Sequence, residues 1–144
     1  MQLFIAPLAL ALLAPLSGCM TAGTEPEIPG CRGMECVALG EAQELGPQPG
    51  DLIVTPRAVI EDSRCPIEAD CVWAGRLRLK ADVQLGHEVI TVELATDEPL
   101  RINGGMLSIA EVAPDASVEW TPIPPEAYRF GFAFGPDIME TPAS

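Results

Sequence analysis

From Arg76 to Val83 the chain reads R-L-R-L-K-A-D-V, with apolar residues at Leu77, Leu79, Ala81 and Val83 and charged residues at Arg76, Arg78, Lys80 and Asp82. Strict alternation over this length fits a half-buried strand and not a helix, because strand side chains point to opposite faces at period two. The surrounding sequence repeats this grammar. Leu52 to Ile60 is rich in apolar and β-branched residues, with Pro56 expected to mark an edge or a break. Glu88 to Leu94 returns after a turn over Gln84 to His87, placing Ile90, Val92 and Leu94 inward. Met106 to Val112 follows Asn103-Gly104-Gly105, and Tyr128 to Phe134 alternates Tyr128, Phe130, Phe132 and Phe134 against Arg129, Gly131 and Ala133. Val118 to Trp120 is expected as a short strand, and Val37 to Leu45 as a helical turn or two. Short strands, frequent turns and no long amphipathic segment predict an all-β fold, a small β-sandwich or barrel-like domain.

The aromatic stripe at Tyr128 to Phe134 is expected to be a core face, since period-two aromatics are the ordinary lining of a sheet. The domain is expected to span residues 51–136, followed by a tail at 137–144 and preceded by a segment, 19–50, rich in Gly, Pro, Glu and Thr that reads as a flexible tether.

The 144 residues carry a formal net charge of −13, none of it from the first 18 positions. A field of this sign repels phosphates and anionic headgroups, so nucleic acid is an unfavourable partner. It favours cationic ligands or basic protein surfaces.

Leu3 to Leu16 is apolar apart from its backbone, but too short for a comfortable membrane span and interrupted by Pro7 and Pro15. Its length suits the hydrophobic region of an export signal occupying residues 1–18, although no Lys or Arg precedes it. Leu16-Ser17-Gly18-Cys19 follows. These four residues resemble the lipobox of bacterial lipoproteins, which implies lipid on Cys19, cleavage before it and a membrane partner reached through the anchor. Met20, in place of Asp, implies by the same resemblance an outer-membrane address facing the periplasm.

With Cys19 lipidated, Cys31, Cys36, Cys65 and Cys71 remain, an even exported set that predicts two disulfides. Three pairings are open. The local one, Cys31–Cys36 and Cys65–Cys71, closes the least chain. Zinc is disfavoured, because both spacings exceed the usual knuckle and His87 is the one histidine. Neither spacing supports thioredoxin-like redox chemistry. No cofactor or resident metal is expected.

Asp62-Ser63-Arg64-Cys65-Pro66, a four-residue spacer, then Cys71-Val72-Trp73-Ala74-Gly75 is the most distinctive stretch. It resembles a motif of small exported bacterial proteins, many of them lipoproteins, of the pattern Asp-Ser-Arg-Cys-Pro…Cys-x-Trp-Ala-Gly. The resemblance implies a lipoprotein-type β domain and no particular reaction. Physically, Cys65 and Cys71 close a loop, and Trp73 is expected to share a face with Cys71 and to pack on the disulfide. Ala74 and Gly75 would leave room for the indole or a neighbouring strand, while Asp62 and Arg64 would hold the loop by a fork-shaped ion pair or by bonds to backbone carbonyls. A functional reading makes Asp62, Arg64, Glu68, Asp70 and Trp73 a binding loop, with the carboxylates available to a cation such as Ca²⁺.

The sequence holds no phosphate-cradling glycine loop, zinc-protease helix motif or nucleophile elbow. Three functions remain. The first is an envelope lipoprotein with a non-enzymatic binding or structural domain, its partner another envelope protein. The others are a small-ligand or cation-binding module and a hydrolase of an envelope polymer.

Overall fold

The computed structural model describes residues 31–48 and 50–136. The signal segment, Cys19, the first part of the tether and the tail from 137 onward lie outside the described residues. The fold is all-β. One antiparallel sheet has the order β1 (Gln43–Leu45), β2 (Leu52–Asp62), β3 (Leu77–Leu85), β4 (Glu88–Ala95). The second has the order β5 (Leu100–Ile102), β6 (Gly105–Ala113), β7 (Arg129–Pro136). Both disulfides are present, and they take the local pairing, Cys31–Cys36 and Cys65–Cys71.

The predicted alternation holds in β3, where Leu77, Leu79, Ala81 and Val83 are fully buried. They pack with Leu52 and Val54 of β2, Leu94 of β4, Leu107 and Ile109 of β6, and Phe130 and Phe132 of β7. The aromatic stripe is thus core: Tyr128 stacks on Phe130, and Phe130 on Phe132. Turn chemistry sets the β5–β6 hairpin. Asn103 and Gly104 both take positive φ between Ile102 and Gly105, as a tight two-residue turn of the primed kind requires.

Two local expectations, at Val118–Trp120 and at residues 37–45, are corrected. Pro56 marks the expected break, without ending the strand. It is buried inside β2, beside a register shift at Arg57. Two bulges carry the inward set from Leu52, Val54 and Pro56 to Val59, opposite Leu79, and then to Asp62, opposite Leu77, so the missing N–H costs little where the ladder is already interrupted. Val118–Trp120 is a 3-10 turn capped by Ser117, not a strand. Residues 37–45 form no helix. Val37 is buried and exchanges two backbone hydrogen bonds with Phe130, at 3.0 and 2.9 Å, and Gln43–Leu45 is β1. Their apolar residues find sheet partners, and long-range pairing overrides weak local propensity. Leu100–Ile102, too short to stand out from its neighbours in sequence, is a strand because Gly105–Leu107 pairs with it.

Where the chain crosses from the second sheet to the first, Gln43 joins them. Its Oε1 accepts the Phe132 N–H at 2.9 Å, and its Nε2 lies 3.4 and 3.5 Å from the carbonyls of Glu35 and Phe132. Gln43 is the buried polar side chain of the core, and its amide stands in for a strand partner that β7 lacks there.

Candidate functional site

The motif loop lies at one end of the sandwich, between the end of β2 and the start of β3. Its base is a polar clamp. Arg64 Nε and Nη2 donate to the two oxygens of Asp62 at 2.8 and 2.7 Å, and Nη1 donates to the Pro114 carbonyl at 3.1 Å. Tyr128 donates its hydroxyl to Asp62 Oδ2 at 2.8 Å. The side chains of Asp62 and Arg64 keep only 14% and 16% of their exposure. Burial pushes the Asp62 carboxyl up. The hydrogen bonds from Arg64 and Tyr128, with the Arg64 charge, outweigh it and hold the group below the usual carboxylate range. The Tyr128 hydroxyl is pushed far up, by burial first and then by the Asp62 carboxylate.

The rest of the motif is explained by backbone. Cys65 N–H donates to the Ala74 carbonyl at 2.9 Å and Ser63 N–H to that of Arg76 at 2.8 Å, so the loop closes like the mouth of a hairpin. Gly75 has φ 67°, and a Cβ there would overlap the carbonyl of Ser63. The room left by Gly75 is therefore for Ser63, not for the indole.

Trp73 corrects the expectation most sharply. It is 78% exposed, and Val72 and Ile67 are 98% and 71% exposed. The strand starts at Leu77 and not at Cys71, so the period-two argument that put Trp73 on the disulfide has no strand to act on. The loop docks on the segment after β6. Ile67 N–H donates to the Ala116 carbonyl at 2.9 Å, and Glu68 accepts from the Ser117 hydroxyl and the Val118 N–H. Val118 and Trp120 on that segment are also exposed, at 59% and 50%. Five apolar side chains, two of them indoles, are thus exposed on two segments that these hydrogen bonds join.

The acidic residues named by the sequence do not converge. Asp62 is spent on Arg64 and Tyr128, Glu68 is taken by Ser117 and Val118, and Asp70 is exposed in the loop. Among the described residues the close grouping of potential metal donors is Cys31, Cys36 and Glu111, whose two sulfurs are bonded to each other. His87 is exposed in the β3–β4 turn.

Sequence reasoning missed a cleft of about 520 Å³ beside the clamp. One wall is Arg57 to Asp62 of β2; the other is carried by Leu39, Pro122, Ile123, Pro125 and Tyr128. No local pattern signals it, because its walls come from segments some 60 residues apart. Its charged groups are already paired: Arg57 with Asp82, Glu61 with Arg76 and Arg78, Asp62 with Arg64. Asp62, held ionised by its arginine, is not a proton donor at neutral pH. Comparisons with protein-family models, with curated proteins and with solved structures found no match.

Proposed function

We propose that the chain is a lipid-anchored protein of the bacterial envelope, acylated at Cys19 and held on the periplasmic side of the outer membrane, whose β domain is a non-enzymatic module that binds another envelope protein. The lipobox-like Leu16-Ser17-Gly18-Cys19 and two disulfides suit an exported chain. The observation that carries the binding reading is the motif loop. It is fixed by a disulfide, a buried Asp62–Arg64 clamp and backbone bonds, yet it presents Ile67, Val72 and Trp73 to solvent. A loop that spends this many interactions on rigidity and leaves its apolar residues outside suits a preorganised interface anchor, in which Trp is the residue most often energetically dominant. The cation and hydrolase readings have less support, since the loop carboxylates are dispersed and the carboxylates of the cleft are ion-paired.

The test is photocrosslinking in intact cells from a reactive residue placed at Val72 of the lipidated chain. The expected result is one adduct to a single envelope protein, suppressed by excess purified chain but not by chain carrying Trp73→Ala. Absence of a discrete adduct, or equal suppression by both competitors, would refute the reading. Cys19→Ser is expected to move the protein from the membrane to the soluble periplasmic fraction.

A further inference from the structure

We infer that the outer edge of β2, between Arg57 and Glu61, takes a short extended peptide of basic character as an added strand, deepening the binding reading above by naming its partner class. A strand face shows alternate residues to a cleft, whereas six consecutive residues, Arg57 to Asp62, line this one. That pattern arises when the strand turns its backbone edge toward the cavity. The edge is open for a simple reason. The ladder of β1 ends at Val54, and beyond it, among the described residues, only the Gly40 N–H makes a backbone bond to this edge, donating to the Pro56 carbonyl at 2.7 Å. Among the described residues no strand covers the rest, and Ala58 and Ile60 are exposed along it. Unpaired edges of apolar, β-branched sequence are templates for an incoming strand, and strand addition is an established mode of peptide recognition. The bulges at Arg57 and Ile60 keep the added strand short.

The opposite wall supplies side-chain specificity. Pro122, Ile123 and Pro125 offer an apolar surface to every second residue of the incoming strand. Net charge sets the sign of the partner. The charged side chains lining the cleft are paired within the fold, and the chain as a whole carries −13, which favours Lys or Arg over Asp or Glu at the alternate positions of the incoming strand.

Other occupants fit poorly. A second copy brings another −13 into the same negative field. Residues 20–30 of the chain contain Glu25, Glu27, Pro26 and Pro29 and no Lys or Arg, and residues 137–144 contain Asp137, Glu140 and Pro142 and likewise no cation. Their prolines cannot donate to a ladder, and their charge has the wrong sign.

The test uses the full chain in detergent with three probes: a short peptide of alternating Lys and Val, its Glu-Val counterpart, and the Lys-Val peptide with a central Pro. Binding is followed by anisotropy and by amide hydrogen exchange. The Lys-Val peptide is expected to bind and to slow exchange at residues 57–61, with the other two at least about ten-fold weaker. Ile60→Lys, on an exposed side chain, is expected to weaken the Lys-Val peptide similarly without lowering the melting temperature. Equal binding of the Lys-Val and Glu-Val peptides, or binding without protection at 57–61, overturns the proposal. So does slow exchange at 57–61 in the free chain that is released by deleting residues 20–30 or by dilution, which assigns the edge to the chain's own segment or to a second copy. Loss of peptide binding with the Val72 adduct intact would sink the edge assignment alone.

Discussion

The hydroxyl of Tyr128 donates to Asp62 across 66 residues of chain, tying the one tyrosine of the protein to the first residue of the motif. Tyr128 also belongs to the core, stacked on Phe130. The motif loop is therefore bolted to the aromatic layer through one carboxylate, whose other oxygen contacts and charge are taken by Arg64. This is why an exposed loop can be rigid.

The clamp predicts two limbs of pH dependence. Asp62 titrates lower in the folded chain than in the unfolded one, so its contribution is complete above about pH 5 and is lost as pH falls through the ordinary carboxylate range toward the folded value. Asp62→Asn should lower stability at neutral pH and flatten that part of the acid limb in urea titrations. A variant with the wild-type acid slope would mean that other carboxylates carry it.

On the alkaline side the sign reverses. The Tyr128 pKa is raised by folding, so its contribution is complete below about pH 10 and declines as pH climbs beyond it. With a single tyrosine, ultraviolet absorbance reports this group alone. Tyrosinate should appear only together with loss of the fold; ionisation near pH 10 in a still-folded chain would show that the hydroxyl is not held by Asp62.

Trp73→Ala should change the unfolding free energy by less than about 1 kcal/mol, because the indole is exposed and leaves no cavity. Both indoles should also be freely quenched by acrylamide, Trp73 and Trp120 being 78% and 50% exposed. A loss of several kcal/mol would place Trp73 in the core after all.

Gly75→Ala should be far more damaging than Trp73→Ala. It combines a left-handed backbone, unfavourable by about 1 kcal/mol for a residue with a Cβ, with overlap against the Ser63 carbonyl. A total cost above about 2 kcal/mol in urea unfolding is expected.

Gln43→Ala should cost about 1–3 kcal/mol, since it strands the Phe132 N–H in a buried setting. Gln43→Leu should do no better, although it fills the space, because the missing element is an acceptor and not volume. Hydrogen exchange at Phe132 provides a local check, with faster exchange expected in both variants.

Much of the fold was legible locally. Period-two patterning located β3, β4 and β7 and their inward faces, because a half-buried strand writes its orientation directly into its sequence, and the run after Asn103-Gly104-Gly105 located β6. Cysteine spacing favoured the local disulfides through loop closure, and the motif announced the Asp62–Arg64 pair. Residues 37–45 were misread because Val37 pairs with Phe130, about 90 residues away, and Gln43–Leu45 is extended only against β2, and nothing within the segment records either partner. Trp73 was misassigned because a periodicity argument needs a strand, and whether one begins at Cys71 or Leu77 depends on what Gly75 and Ser63 do to each other in space.

The sequence by itself determined the strand class, the turn positions, the charge and the residues able to cross-link, all of which are properties of neighbours along the chain. Only the tertiary structure decided which residues of the motif are clamp and which are surface, and that β2 runs past its partner to leave an edge open. Both outcomes depend on where distant segments stop. β1 begins only at Gln43, opposite Val54, and residues 121–125 face Arg57–Glu61 across the cleft, so that burial, pairing and exposure there are set by packing between parts of the chain that share no local pattern.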